Sequence, residues 1–131
     1  MPRLMSVAYT EDAVRRRAKT VTRRKGWDYL RPGERITLCR KVMGRKTGEP
    51  LVRIVDVEVV DVRREPLRDI TAEDVAREGF PELSPAEFVD RFFVRAQGIA
   101  PDEVVTRIEW RYLDADAAQL AFDVAPAAEG R

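Results

Sequence analysis

The chain has 131 residues, 44% of them hydrophobic and 36% charged, a length and composition that fit one globular domain and exclude two independent ones. It contains no histidine and one cysteine, which excludes an intrachain disulfide, the usual base of serine and cysteine hydrolases and the commonest zinc ligand. The formal net charge is +1 and no apolar run approaches the roughly 20 residues that cross a bilayer, so we expect a cytoplasmic protein without a membrane partner.

The first part of the chain predicts a strand, a short helix and a second strand. Residues 4–9 have strand character, and Thr10 is the predicted N-cap of a helix that ends near Arg17. A Pro-Gly turn leads into a strand over 35–42, where Cys39 alternates with its neighbours and is expected in the core. A glycine-marked loop then carries three further basic residues, Lys41, Arg45 and Lys46.

Residues 51–64 predict the longest strand of the sheet. Valines alternate with charged residues there, but the apolar phase slips at 54–55 and again at 59–60. Such slips are typical of bulges in a strand that curls toward a barrel. Alternation returns over 104–113, the predicted closing strand, where Trp110 falls among the core positions.

Two helices are predicted between these last strands. The first begins after its N-cap Thr71 and ends at Gly79, and the second begins at Ser84, which forms a capping box with Glu87. The predicted fold class is therefore α+β, a small mixed β-barrel flanked by short helices. Residues 114–131 form an alanine-rich tail that we expect to be partly helical with a mobile end.

Basic residues are concentrated in the first part of the chain. Residues 1–53 contain 15 Lys or Arg against 5 Asp or Glu, whereas 54–131 contain 9 against 18. This asymmetry favours a basic patch that contacts an anionic partner, although the two parts can instead neutralise each other across the fold. The densest stretch is 15–27, RRRAKTVTRRKGW, in which Lys19 and Thr22 have the side chains suited to chemistry.

Several stretches together resemble the ASCH domain, a PUA-like β-barrel associated with RNA. They are RAKTVTRR with the following GW, then LRPGERITL and VTRIEWRYL, and the resemblance covers about residues 4–113. It implies one ASCH or PUA-like domain over 1–113. The usual signature of the family is Gly-x-Lys-x-x-Glu-x-Arg, and the residues at its fixed positions are Arg17, Lys19, Thr22 and Arg24.

The run KTVTRR is also similar to the Lys-Thr-x-Thr-x-Arg run of bacterial ASCH amidohydrolases that deacetylate N4-acetylcytidine. In those enzymes a Lys, the second Thr and a Glu from a later helical segment form the catalytic set. Glu78, in the predicted helix ITAEDVAREGF, stands at the Glu position. The resemblance therefore implies catalytic roles for Lys19, Thr22 and Glu78.

These three residue types also allow amide hydrolysis on chemical grounds. Thr22 supplies a hydroxyl nucleophile, Lys19 is a base if neighbouring cations lower its pKa, and Glu78 protonates the leaving nitrogen or holds Lys19. Lys19 and Thr22 are three positions apart, so they share a face only where the chain is helical or turned. In the alternative interpretation Lys19 binds a phosphate and Thr22 is a turn residue.

The remaining basic residues suit phosphate better than catalysis, because guanidinium keeps its proton at neutral pH. Trp27 is suited either to stacking on a base or to covering the end of the barrel. The predicted contacts with RNA or with a nucleoside or nucleotide ligand are Arg15, Arg16, Arg17, Arg23, Arg24, Lys25, Trp27, Lys41, Arg45 and Lys46.

The sequence leaves three functions open. One is an amidohydrolase acting on an N-acylated cytidine-like nucleoside, the second a non-catalytic RNA-binding module and the third an RNA nuclease. The basic stretch favours the second, since a free nucleoside carries no phosphate, whereas Thr22 favours the first. A nuclease needs carboxylate-bound Mg²⁺, and the sequence has no tight Asp/Glu cluster. We expect neither a metal site nor a cofactor.

Overall fold

The computed structural model describes residues 3–113 and has the α+β architecture that the sequence predicts. The predicted tail over 114–131 lies outside the described residues. The strands are β1 (Arg3–Ser6), β2 (Val21–Arg24), β3 (Arg35–Cys39), β4 (Arg53–Pro66) and β5 (Val104–Tyr112). The helices are α1 (Glu11–Arg15), α2 (Ala72–Glu78), α3 (Pro85–Val89), the π-helical turn π1 (Asp90–Val94) and α4 (Arg95–Gln97), with 3-10 turns at Ala8–Thr10 and Leu67–Asp69.

The five strands form one curled sheet in the order β1-β3-β4-β5-β2. β1 is parallel to β3, and the other neighbours are antiparallel. The pairing of β4 with β3 skips Ile54 and its pairing with β5 skips Val60, which confirms both predicted bulges. The two edge strands meet where Arg24 of β2 donates a hydrogen bond to the carbonyl oxygen of Ser6 in β1. The sheet is therefore a half-barrel with an open seam between β1 and β2.

Two apolar clusters hold the fold together, and alternate residues of β5 contribute to both. Ile108 and Trp110 belong to the cluster inside the curled sheet, whereas Val105 belongs to the cluster under α2 and α3. Trp110 is 2% exposed and Cys39 is fully buried, which confirms their predicted core positions. No helix within residues 3–113 is long and apolar enough to cross a membrane.

All three predicted N-cap residues stand at the start of a helix, and two of them make a capping hydrogen bond with the side chain. The Thr71 hydroxyl accepts a hydrogen bond from the backbone N–H of Asp74, and Ser84 forms the complete capping box with Glu87. Thr10 is the N-cap residue of α1, as predicted, but its side chain makes no capping hydrogen bond. The reason is that the 3-10 turn Ala8–Thr10 runs directly into α1.

Several predicted boundaries also shift, and β4 begins and ends two residues later than the predicted 51–64. The first strand ends at Ser6 because residues 8–10 form the 3-10 turn, α1 ends at Arg15, and β3 ends at Cys39. The predicted strand over 35–42 is therefore three residues too long, whereas β5 ends one residue before its predicted limit. The structure also contains β2 at Val21–Arg24, a strand that the sequence analysis did not predict.

Candidate active-site cleft

A cleft of about 370 Å³ opens at the seam between β1 and β2. The end of β1 and the following turn form one side, and β2 with the residues before it forms another. The last residue of α2 and side chains from α3 and π1 complete the lining. The lining residues are 6–10, 19, 22–25, 27, 78, 80, 88, 92, 93 and 97.

Lys19 and Glu78 form a buried ion pair that lines this cleft. The Lys19 Nζ atom donates to the Glu78 backbone oxygen at 2.8 Å and to Glu78 Oε1 at 3.0 Å. Both side chains are at most 4% exposed. The Thr20 N–H donates to the Arg77 carbonyl at 2.9 Å, which ties the end of α2 to the segment before β2. The fold thus brings together two residues that are 59 positions apart.

Thr22 lies in β2, in the same cleft as Lys19, and is 4% exposed. Lys19 precedes the strand, after the turn at 16–17, so strand alternation does not separate the two side chains. The Lys19 carbonyl accepts a hydrogen bond from Trp110 Nε1 at 3.1 Å, which fixes the backbone at this position. Within residues 3–113 the Thr22 hydroxyl makes no hydrogen bond. It is therefore open to a group that enters the cleft.

The loop before Lys19 has a backbone conformation that favours glycine. Arg17 adopts a φ of 62°, in the left-handed region that a side chain disfavours. Its guanidinium donates to the carbonyl oxygens of Val14 at 2.8 Å and Arg15 at 3.0 Å, at the end of α1. Arg17 therefore keeps the backbone shape suited to the Gly of the ASCH signature, and its side chain caps the helix.

Burial is the main cause that lowers the pKa of Lys19 below its ordinary value of 10.5. Glu78 acts in the opposite direction, while Arg24 and Arg23 add smaller lowering effects. The prediction that a ring of neighbouring cations lowers this pKa is therefore wrong about the main cause. Desolvation of the ammonium group is the larger effect, because Lys19 is almost completely enclosed.

Arg23 is the centre of a buried charge network that the sequence did not reveal. Its guanidinium donates to Asp74 Oδ2 at 2.6 Å, Glu65 Oε2 at 2.7 Å and Glu78 Oε2 at 3.3 Å. Arg107 donates to both oxygens of the same Asp74, at 2.7 and 3.2 Å. The predicted phosphate-binding role of Arg23 is thus wrong, because its side chain is 1% exposed and surrounded by carboxylates.

The arginines control the protonation of Asp74. Burial alone raises the pKa of this carboxyl, but hydrogen bonds from Arg107 and Arg23 outweigh that effect and hold the pKa well below 3.8. The same hydrogen bonds raise the pKa of Arg107. Asp74 is therefore an anion that fixes two buried cations across β2 and β5, and both lie on the face that α2 covers.

The other predicted binding residues fall into two groups. Arg24, Lys25 and Trp27 line the cleft, and the Lys25 side chain is 69% exposed and lies 3.0 Å from Glu103. The second group lies outside the cleft. Its members at the end of α1 and in the following turn form hydrogen bonds with neighbouring residues of the same helix. Its other members lie in the loop after β3. The predicted contacts outside the cleft are Arg15, Arg16, Arg17, Lys41, Arg45 and Lys46.

Within residues 3–113, no group of three His, Cys, Asp or Glu side chains is arranged to hold a metal ion. The carboxylates that do approach one another belong to Glu65, Asp74 and Glu78, and the guanidinium of Arg23 lies among them.

Comparison with known proteins identifies the fold. No protein-family model matches the chain, and no curated protein matches its sequence. A crystal structure of a protein from Enterococcus faecalis V583, assigned to DUF984, superposes with a TM-score of 0.61 at 13% identity, covering 86% of this chain and 80% of the other. The ASCH domain from Lactobacillus crispatus JV V101 gives a TM-score of 0.57 at 17% identity, covering 82% and 75%. The chain therefore has the PUA-like fold of ASCH domains, as the sequence resemblance implied.

Proposed function

We propose that this protein hydrolyses the N-acyl amide of a cytidine-like nucleoside. The observation that carries the proposal is the meeting of Lys19, Thr22 and Glu78 in one cleft, with the amine buried and the hydroxyl free of hydrogen bonds within residues 3–113. A nucleophile beside a desolvated amine is a recurrent arrangement for acyl transfer. The similarity of KTVTRR to the amidohydrolase run supports the same assignment.

Hydrogen bonding explains how Lys19 acts as the base. A neutral amine has two N–H groups and one lone pair. Glu78 accepts from Nζ with its backbone oxygen and with Oε1, which uses both N–H groups and leaves the lone pair free to accept a proton. The lowered pKa of Lys19 increases the fraction of this neutral form at neutral pH.

The reaction then runs through an ester on Thr22. The Thr22 oxygen attacks the amide carbonyl carbon while Lys19 takes the hydroxyl proton, and the intermediate collapses as the C–N bond breaks. The Lys19 ammonium returns the proton to the leaving nitrogen, which releases the free nucleoside. Water, deprotonated by Lys19, attacks the ester, releases the carboxylic acid and restores Thr22.

Glu78 holds Lys19 in place in this scheme. Its Oε1 accepts from Lys19 and its Oε2 accepts from Arg23 at 3.3 Å, so both carboxylate oxygens already accept hydrogen bonds. A carboxylate in that position orients the amine better than it protonates a leaving group. Of the two roles predicted for Glu78, we therefore favour positioning.

The test is incubation of the purified protein with N4-acetylcytidine and a panel of other N4-acylcytidines. We expect release of cytidine and the matching carboxylic acid, detected by chromatography and mass spectrometry. Lys19→Met should abolish release, whereas Arg16→Gln, on the exposed surface of the preceding turn, should leave the rate within about twofold. Absence of turnover on every acylated nucleoside would contradict the proposal.

A second candidate, a non-catalytic RNA-binding module, is favoured by Arg24, Lys25 and Trp27 at one end of the cleft. Trp27 is half-buried and stacks on Tyr29, with ring centroids 5.8 Å apart. Base stacking beside cationic groups is the usual mode of single-strand recognition. Binding of a short RNA without any turnover of acylcytidines would select this candidate over the hydrolase.

A further inference from the structure

One side of the cleft consists of aromatic rings. The Phe80 and Phe92 ring centroids are 4.5 Å apart, and Phe88 lies 5.5 Å from Phe92. Phe88 is buried, Phe80 and Phe92 are half-buried, and Tyr9 at the mouth is 82% exposed and lies 6.5 Å from Phe92. We call Tyr9, Phe80, Phe88 and Phe92 the aromatic wall. Rings that pack on a buried ring on one side and face the cleft on the other form a preorganised apolar surface.

The π-helical turn π1 shapes this wall. In a regular α-helix, residues four apart share a face but residues five apart diverge. With the wider π turn, Phe92 and Phe93 both place their ring centroids 5.5 Å from that of Phe88. The side chain of Gln97 donates to the Phe92 carbonyl at 2.6 Å. Turns of this kind often occur at functional sites.

The wall begins directly beside the reactive residues. Gly79 ends α2 with a φ of 114°, and the Phe80 N–H then donates to the Val75 carbonyl at 3.1 Å. This turn places Phe80 two positions after Glu78, the partner of Lys19. The same cleft is also lined by the cations Arg24 and Lys25, so its lining combines an aromatic surface with basic side chains.

We infer, resting on the proposed hydrolase function, that the aromatic wall is the subsite for the acyl group and that the enzyme prefers bulky apolar acyl amides to acetyl. The scissile amide has two sides, an apolar acyl group and a nucleoside with a hydroxyl-rich ribose. The acyl group matches the apolar rings, whereas the ribose hydroxyls match the polar side chains of the same cleft, Arg24 and Lys25 among them. An acetyl group has one carbon beyond the carbonyl and leaves most of the wall in contact with water.

The first test compares hydrolysis of N4-benzoylcytidine and N4-acetylcytidine, with each kcat/KM divided by the rate of alkaline hydrolysis of the same compound. We expect a corrected ratio of at least about 10 in favour of benzoyl for the wild-type protein. Phe92→Ala should bring this ratio close to unity, and Phe92→Leu should give an intermediate value. The matched control is Val94→Ala. Val94 belongs to the same π turn but lines a second groove, with Arg68 and Pro101, and not the cleft, so this variant should keep the wild-type ratio.

The second test measures binding without chemistry. N4-benzylcytidine and N4-methylcytidine lack the scissile carbonyl, and we expect the benzyl compound to bind at least about tenfold tighter. Hydrolysis with equal corrected rates for both amides, together with equal binding of the two amines, would overturn the acyl subsite and leave the hydrolase intact. Tighter benzyl binding that Phe92→Ala removes, without turnover of any amide, would overturn the hydrolase and support an apolar subsite.

Discussion

Two parts of one basic stretch, residues 15–25, have opposite environments. Arg15 and Arg16 project from α1 with side chains 49% and 61% exposed, and each pairs with an acidic residue four positions earlier on the same helix. Lys19 and Arg23 are at most 4% exposed and pair with carboxylates more than 40 positions away. The difference shows that basic residues of one stretch form either exposed pairs within a helix or buried pairs between distant elements, depending on where the fold places them.

This contrast also accounts for part of the charge asymmetry of the sequence. The buried cations of the first part are neutralised by carboxylates of the second, as the alternative interpretation of the asymmetry required. Removing one member of a buried network leaves a charge without a partner in a low dielectric, whereas an exposed pair is replaced by water. The following predictions test whether the two parts differ in this way.

The largest expected effect is on stability, at Asp74. Asp74→Asn should lower the free energy of unfolding by about 3–5 kcal/mol, because Arg23 and Arg107 then lose the anion that they share. The matched substitution Asp12→Asn, at a side chain 88% exposed, should cost less than about 0.5 kcal/mol. Urea unfolding of both variants measures the difference. Equal losses would contradict the contrast between the buried and the exposed pairs.

The next effect is a pH dependence from Lys19. Its folded-state pKa is lowered from 10.5, so between that lowered pKa and 10.5 the folded protein binds fewer protons at this site than the unfolded chain. Stability from this site therefore rises with pH across the window, by up to about 1.4 kcal/mol per unit, and is lost as pH falls. Unfolding of the wild type and Lys19→Met from pH 6 to about 10 measures it. The free energy of unfolding of the wild type should rise with pH relative to that of Lys19→Met. A constant difference between the two proteins would argue against a lowered pKa.

A smaller effect is expected at Arg17, between the two parts of the stretch. Arg17→Ala keeps the disfavoured φ of 62° but loses the hydrogen bonds to Val14 and Arg15, and should cost about 1 kcal/mol. Arg17→Gly loses the same bonds but relieves the backbone, so it should be more stable than the Ala variant. Thermal unfolding ranks the three proteins. An Ala variant as stable as the Gly variant would contradict the strained loop.

The smallest effect concerns Lys25, the exposed cation at the cleft. If the cleft binds single-stranded RNA, log K should fall with log salt at about −0.7 per phosphate contact, and Lys25→Gln should reduce that slope by about 0.7. Arg16→Gln, which lies outside the cleft, should leave the slope unchanged. Fluorescence anisotropy between low and moderate salt measures both. An affinity that does not change with salt would exclude phosphate contacts at this end.

Sequence patterns predicted the features that depend on neighbouring residues. The bulges at Ile54 and Val60 followed from breaks in alternation, and the caps at Thr71 and Ser84 followed from local spacing. Thr10 has the same local signal but no capping bond, because the preceding 3-10 turn fixes the entry to the helix.

Other features depend on contacts between distant elements and left no local pattern. The Arg23 network joins β2, β4, α2 and β5, and nothing in the run VTRR distinguishes a buried arginine from an exposed one. The aromatic wall depends on the π turn, which inserts extra width into a helix whose sequence predicts an ordinary one. The pairing of Lys19 with Glu78 was predicted through the ASCH resemblance. Local sequence patterns could not predict it, because the two residues are 59 positions apart.

The central claim is that the Thr22 hydroxyl is the nucleophile of a hydrolase, and one substitution tests it most directly. Thr22→Val keeps the side-chain shape and removes the hydroxyl, so kcat on the best N4-acylcytidine should fall by at least about 10³-fold, with Thr22→Ser keeping part of the activity. Binding of the unreactive N4-benzylcytidine should stay within a few-fold, because the loss is chemical. Turnover that survives Thr22→Val at the wild-type rate would contradict the account.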